Sequence, residues 1–167
     1  MRNIILTGFM GTGKSTVGRL LAEKLEMRFV DMDQLIEERA GRSISEIFAV
    51  EGEQHFRALE RNLVEDLARE SGLVIATGGG VVLDPGNIDA FRASGLVVCL
   101  NASPTTIRAR VESDNHRPLL EEGDKLARIE AILSARAHCY ARVDNQIDTD
   151  GLEAEAVADL IIELYSR

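Results

Sequence analysis

The chain has 167 residues, 45% of them hydrophobic, with 19 Lys and Arg against 28 Asp and Glu and a formal charge of -9. That is enough for one substantial core, and one domain over 1–167 is expected; the acidic balance excludes general attraction to nucleic acid or an anionic membrane, so any anion site must be local. Cys99 and Cys139 lie far apart and, like His55, His116 and His138, match no metal or redox spacing; no apolar stretch approaches the roughly 18 residues of a membrane span, and a strand begins within a few residues of Met1. A cytoplasmic protein is the expectation, with a monomer favoured.

Taken in chain order, the first pattern is the run Ile4-Ile5-Leu6, then Gly8, Gly13, Lys14 and Ser15 in the spacing G-x-x-x-x-G-K-S/T, then Val17, Leu20, Leu21 and Leu25 at helical spacing. The order strand, glycine-rich turn, helix is that of a P-loop. Backbone N–H groups of Met10 to Ser15 would point inward there, and the helix N-terminus adds partial positive charge, so polyphosphate is held largely by main chain. Lys14 supplies a full charge for the outer phosphates and the Ser15 hydroxyl a ligand for Mg²⁺. Read instead as an ordinary first-turn lysine, Lys14 is disfavoured by that same helix terminus.

Four further runs predict strands: Phe29-Val30, Leu73 to Ala76, Leu96 to Leu100, and the weaker Gln146-Ile147. Continuous apolar runs alternating with helical patterns indicate α/β architecture with a parallel sheet covered on both faces, and ligands in such sheets sit at the carboxyl ends of the strands. After the second strand come Asp31 and Asp33. One carboxylate suits the metal and the other a hydroxyl acceptor, although Asp33 would also serve as a helix cap. In the helix predicted over 53–69, at about 100° per residue, Glu60 falls within the stripe of Phe56, Leu59, Leu63, Val64 and Leu67, with Arg57 at its edge three residues away. Glu60 could hold that guanidinium in one pose; an exposed ladder with Glu53 is the plainer alternative.

The third strand runs into Thr77-Gly78-Gly79-Gly80, where glycines would expose N–H groups to a ligand and Thr77 could reach the metal's water shell. The polar stretch from Glu112 to Lys125 has the length of a lid, and Arg117 before Pro118 is a candidate finger for the transferring phosphate. In the helical pattern of Leu126, Ile129, Leu133, Ala137 and Tyr140, Arg136 projects from the middle of the apolar face. A guanidinium there needs an anion, unless it snorkels past its neighbours.

Together these segments resemble the shikimate kinases over nearly the whole length: GFMGTGKST, Phe29-Val-Asp31-Met-Asp33, Gly52 to Glu60, Gly78-Gly79-Gly80, Arg117-Pro118-Leu119-Leu120, and Arg136 with Tyr140. The resemblance implies a P-loop NTPase-type three-layer α/β/α fold, with a five-stranded parallel sheet, flanking helices, an acceptor-binding segment over 31–60 and a mobile lid over 112–123. It implies transfer of the ATP γ-phosphate to the 3-hydroxyl of shikimate, with ATP as co-substrate and Mg²⁺, in the chorismate pathway to aromatic amino acids. It places Gly11, Thr12, Gly13, Lys14, Ser15 and Thr16 on the triphosphate, Ser15 and Asp31 at the metal, and Arg110 beside adenine. Asp33, Arg57, Gly79, Gly80 and Arg136 would hold the acceptor, and Lys14, Asp33 and Arg117 would be catalytic. The chain departs from the family in having no proline in the stretch after Ile147-Asp148-Thr149. Two rivals are a related small-molecule or nucleoside monophosphate kinase and a nucleotide-switched regulatory module. For the latter, Asn145-Gln-Ile-Asp148 lacks the lysine of a guanine-specifying motif.

Overall fold

The computed structural model describes residues 1–112 and 124–167. Each apolar run is a strand: β1 (Asn3–Gly8), β2 (Arg28–Asp31), β3 (Leu73–Ala76), β4 (Gly95–Asn101) and β5 (Asn145–Asp148). They pair in parallel in the order β2-β3-β1-β4-β5, with Ile4 of the central strand opposite Val74 on one side and Leu96 on the other. Between them run α1 (Lys14–Leu25), α2 (Met32–Ala40), α3 (Ile44–Glu51), α4 (Glu53–Ala68), α5 (Pro85–Ser94), α6 (Pro104–Val111) and α7 (Lys125–Tyr140), and α8 (Ala154–Tyr165) follows β5.

Alternation along the strands divides the interior in two, because successive side chains leave opposite faces of the sheet. Ile4, Leu6, Val98 and Leu100 meet Val17 and Leu21 of α1 and Val157 and Ile161 of α8. Ile5, Ile75, Val97 and Cys99 enter the other core with Leu63 of α4, Phe91 of α5 and Ile129 of α7. Both faces are therefore covered, which is why the inner strands β3, β1 and β4 read as apolar runs. At about 1.5–3 kcal/mol for each such side chain, this burial gives the sheet the rigidity on which a site can be built.

Helix starts are encoded locally by short polar caps. Asp31, Ser43, Asp84, Ser103 and Asp124 each accept a backbone N–H from the first turn that follows, and Pro85 and Pro104 stand where a missing N–H costs nothing. The cap of α2 is thus Asp31, which accepts from Gln34 N at 3.2 Å; Asp33, the alternative cap, lies inside the first turn. Because the strands are parallel, their carboxyl ends share one edge of the sheet, and the P-loop, Asp31 with Asp33, and Thr77 to Gly80 leave from that edge. Of the span expected to form a lid, only Glu112 falls within the described residues; Arg117 lies outside them.

Candidate active site

The loop after β1 turns through Gly13 at φ 92°, the N-cap position of α1, and so presents the start of that helix to the cleft. Thr12 is buried and spans the loop, its hydroxyl donating to Phe9 O at 2.8 Å. Lys14 folds back over the same loop, Nζ donating to Gly8 O at 2.7 Å and Phe9 O at 2.8 Å. Thr16 is exposed in the first turn of α1. Ser15 Oγ donates to Asp31 Oδ2 at 3.0 Å, joining the first turn of α1 to the end of β2. On the far side Arg110 of α6 donates to Gly11 O at 2.9 Å and Thr149 Oγ1 at 3.4 Å, while Thr149 itself donates to Asn101 O at 2.8 Å. The loops after β4 and β5 are therefore tied to the P-loop.

Opposite lies a cavity of about 560 Å³, walled by Asp33, Glu37, Arg57, Glu60 and Arg136 together with Met10, Phe48, Phe56 and Gly78 to Gly80. Its ionic side chains come from three helices and converge on the glycine turn. A Cβ on Gly78 would stand 2.8 Å from Asp33 Oδ1 and 3.2 Å from Glu60 Oε2, and one on Gly80 would stand 2.4 Å from Arg57 Nη1. At Gly79 the nearest atom would be Arg136 Nη1, at 3.6 Å. Gly80 has φ -95°, so here glycine supplies room rather than an unusual backbone angle.

Arg57 donates from Nη1 to Glu60 Oε1 at 3.1 Å and from Nη2 to the exposed Glu53 at 3.3 Å. Glu60 is only 2% exposed. Burial raises its carboxyl to about 7 against the opposing pull of Arg57, with Asp33 adding to the rise and Arg136 opposing it. Arg136 is 8% exposed and among the described residues enters no salt bridge. Beside it, the Tyr140 hydroxyl donates to Gly79 O at 2.7 Å, pinning the glycine turn to α7, and burial pushes that phenol up to about 12.

The sequence profile of the shikimate kinase family matches residues 10–166. The shikimate kinase of Geobacter sulfurreducens is 50% identical over 163 residues, covering 98% of this chain and 88% of that one; that of Caldicellulosiruptor saccharolyticus is 45% identical over 165 residues, covering 99% and 96%. Among solved structures, shikimate kinase from Acinetobacter baumannii in complex with shikimate superposes with a TM-score of 0.93 at 36% identity, covering 98% of this chain and 92% of that chain. The Bacteroides thetaiotaomicron enzyme gives 0.92 at 33%, covering 99% of each. This chain belongs to the shikimate kinase family.

In a shikimate kinase the donor is ATP with Mg²⁺, and the residues present suit both. The glycine-opened loop and the α1 N-terminus present main-chain N–H groups of the kind that suits phosphates. Ser15 and Asp31 offer hard oxygen ligands side by side, and among the described residues no three or more His, Cys, Asp and Glu are so placed that they could hold a metal ion between them. Such a sparse set fits Mg²⁺, which keeps several waters and takes most other ligands from the phosphates. Thr77, in contrast, is only 5% exposed and its hydroxyl donates to Leu6 O at 3.1 Å, so it belongs to the sheet rather than the metal's water shell. Ala137, projected with the apolar stripe of α7, is exposed, and Cys139 is buried beside Tyr140 instead. The sequence reading gave no part to the apolar wall of Phe48, nor to Glu37, whose Oε2 accepts from Ile44 N at 2.9 Å. Phe48 is legible only as one more apolar residue of a short helix. No described helix is long and apolar enough to cross a membrane.

Proposed function

We propose that the two halves of this cleft divide the family reaction, transfer of the ATP γ-phosphate to the 3-hydroxyl of shikimate, between residues 11–16 and the four side chains Asp33, Arg57, Glu60 and Arg136. The observation that carries the assignment is the convergence of Arg57 and Arg136 on one cavity facing the P-loop of an otherwise acidic chain. Guanidinium binds carboxylate through paired N–H groups, so the two arginines take the acceptor's carboxylate. That contact sets which end of the ring faces the phosphates. Asp33 then orients the acceptor hydroxyl and takes its proton as the new P–O bond forms. Little deprotonation is needed early, because the transition state for phosphoryl transfer is loose.

On the donor side, main-chain N–H groups of residues 11–16 hold the triphosphate, and Lys14 exchanges its loop carbonyls for the outer phosphate oxygens. Ser15 would hold Mg²⁺ directly and Asp31 through water; bound there, the metal neutralises charge on the phosphate oxygens. Arg110 flanks the adenine. Arg117, outside the described residues, is assigned to the transferring phosphate within a lid over 112–123. Residues 1–167 form one kinase domain, with 31–60 as its acceptor segment, acting as a cytoplasmic monomer.

The test is ADP release on side-by-side addition of shikimate, gluconate and nucleoside monophosphates. Turnover with shikimate alone is expected; equal turnover with either competitor would overturn the acceptor assignment. For Arg117, alanine should lower kcat at least about 100-fold while changing shikimate affinity severalfold at most, since a group that meets the phosphate only in the transition state acts on kcat. Near-wild-type kcat would remove it from the catalytic set.

A further inference from the structure

Glu60 and the acceptor's carboxylate have claims on the same guanidinium. Arg57 Nη1 lies 3.1 and 3.4 Å from the two oxygens of Glu60, its Nη2 reaches Glu53, and its Nε is buried with no hydrogen-bond partner among the described residues. Glu60 and Asp33 face one another across Gly78, where a Cβ would touch both. The charged groups around Glu60 are Glu53 and Arg57 on its own helix, Asp33 and Glu37 from α2, and Arg136 from α7. Helix α3 and the turn of Gly78 to Gly80 add only uncharged residues to the wall. Four carboxylates, Glu53, Asp33, Glu37 and Glu60, thus already meet two guanidiniums before an anionic substrate enters.

Resting on the acceptor assignment above, we propose that Glu60 takes up one proton from solvent when the acceptor's carboxylate binds, releasing Arg57 from an internal carboxylate to an external one. The charge count requires some compensation. Adding a second anion beside an ionised, buried Glu60 would place both in a site of low dielectric, where like charges at such range strongly favour protonation of one. Glu60 is the group poised for it, since burial already holds it near 7 and half ionised at neutral pH. The neutral acid no longer competes for Arg57 as an ion, so the guanidinium can turn its fork to the substrate.

Linkage makes this measurable without catalysis. Shikimate is titrated calorimetrically into the full-length protein, nucleotide omitted, in buffers of differing ionisation enthalpy. Binding enthalpy should vary linearly with that enthalpy, with a slope of about half a proton taken up at pH 7, rising toward one at pH 8. The dissociation constant should rise about fivefold over that interval. Glu60→Gln should bring the slope to zero and flatten the pH dependence. The wild-type buffer series decides the matter independently of the variant: equal enthalpies in all buffers overturn the proposal, as does uptake that persists unchanged in Glu60→Gln. Absence of any saturable binding would instead overturn the acceptor assignment beneath it.

Discussion

Gly13, in the loop after β1, has φ +92° and nothing closer than 4.0 Å to the place of a Cβ, whereas Gly80, in the loop after β3, has an ordinary φ and would put its Cβ 2.4 to 2.7 Å from the Arg57 guanidinium. The donor half of the cleft is thus made by bending main chain, and the acceptor half by leaving main chain bare so that side chains from elsewhere fit against it. A phosphate chain is bound by repeated N–H groups in one continuous segment. A ring bearing a carboxylate and hydroxyls is bound by a few ions fixed at defined points. In the acceptor half proposed here those ions would be Asp33 of α2, Arg57 of α4 and Arg136 of α7, which together span more than a hundred positions of sequence.

The largest effect is expected where the donor half relies on one charge. Lys14→Ala should lower kcat about 100- to 1,000-fold, the range for loss of a donor that stabilises transition-state charge, with a cooperative melt retained because Lys14 contributes nothing to either core. Steady-state kinetics beside a thermal melt check it. Unchanged kcat in a folded variant would reassign the loop to mere structure.

The acceptor half should respond on binding instead. Arg136→Leu keeps the apolar packing of α7 and removes its guanidinium, so the shikimate dissociation constant should rise about tenfold or more, in line with about 1.5–3 kcal/mol for a hydrogen bond to a charged group. ATP affinity should stay unchanged. Gly80→Ala probes the same half through space alone: its Cβ displaces Arg57 without straining the backbone, and the shikimate KM should rise by a similar factor. Gly13→Ala, by contrast, imposes a left-handed angle on an alanine at roughly 1–2 kcal/mol and should act on the nucleotide. If both alanines raised the KM of the same substrate, the division of the cleft would fail.

The same division explains what the sequence discloses. The P-loop is legible because its determinants are consecutive: strand, turn and helix follow within 25 residues, and the conformation that needs Gly13 is local. The inner strands β3, β1 and β4 are legible for a related reason, since burial on both faces writes continuous apolar runs, whereas the edge strands β2 and β5 are only partly buried and leave shorter signals. Glu60 and Arg136 stand out by violating helical amphipathicity; for Glu60 the wheel also offers Arg57 one turn away, whereas for Arg136 it says that an anion is needed without saying which. That Gly78 makes room for Asp33 and Gly80 for Arg57, with Arg136 in ordinary contact beside Gly79, cannot be read from three glycines in a row. It depends on the positions of α2, α4 and α7 over β3, which tertiary packing sets. Tyr140 shows the same limit, for its place in an apolar stripe hides that its hydroxyl holds Gly79.

The smallest effect expected is one of stability, and it asks whether the acceptor half carries a cost that the donor half does not. Burial raises the Glu60 carboxyl in the folded protein from an ordinary 4.5 to about 7, so between those values the native state binds a proton that the unfolded chain has lost. Stability from this group is therefore full at low pH, falls as pH rises toward 7, and levels off above it. Glutamine has no such dependence. From pH 6.5 to 8 the melting temperature of Glu60→Gln, measured relative to wild type, should climb by about 2–4 °C, equivalent to about 1 kcal/mol in a chain of this size. Taking the difference between the two proteins cancels every other titration they share. A difference that stayed flat, or that shrank with rising pH, would mean that Arg57 holds Glu60 ionised throughout, and the acceptor half would then be a permanently charged site rather than one balanced at neutral pH.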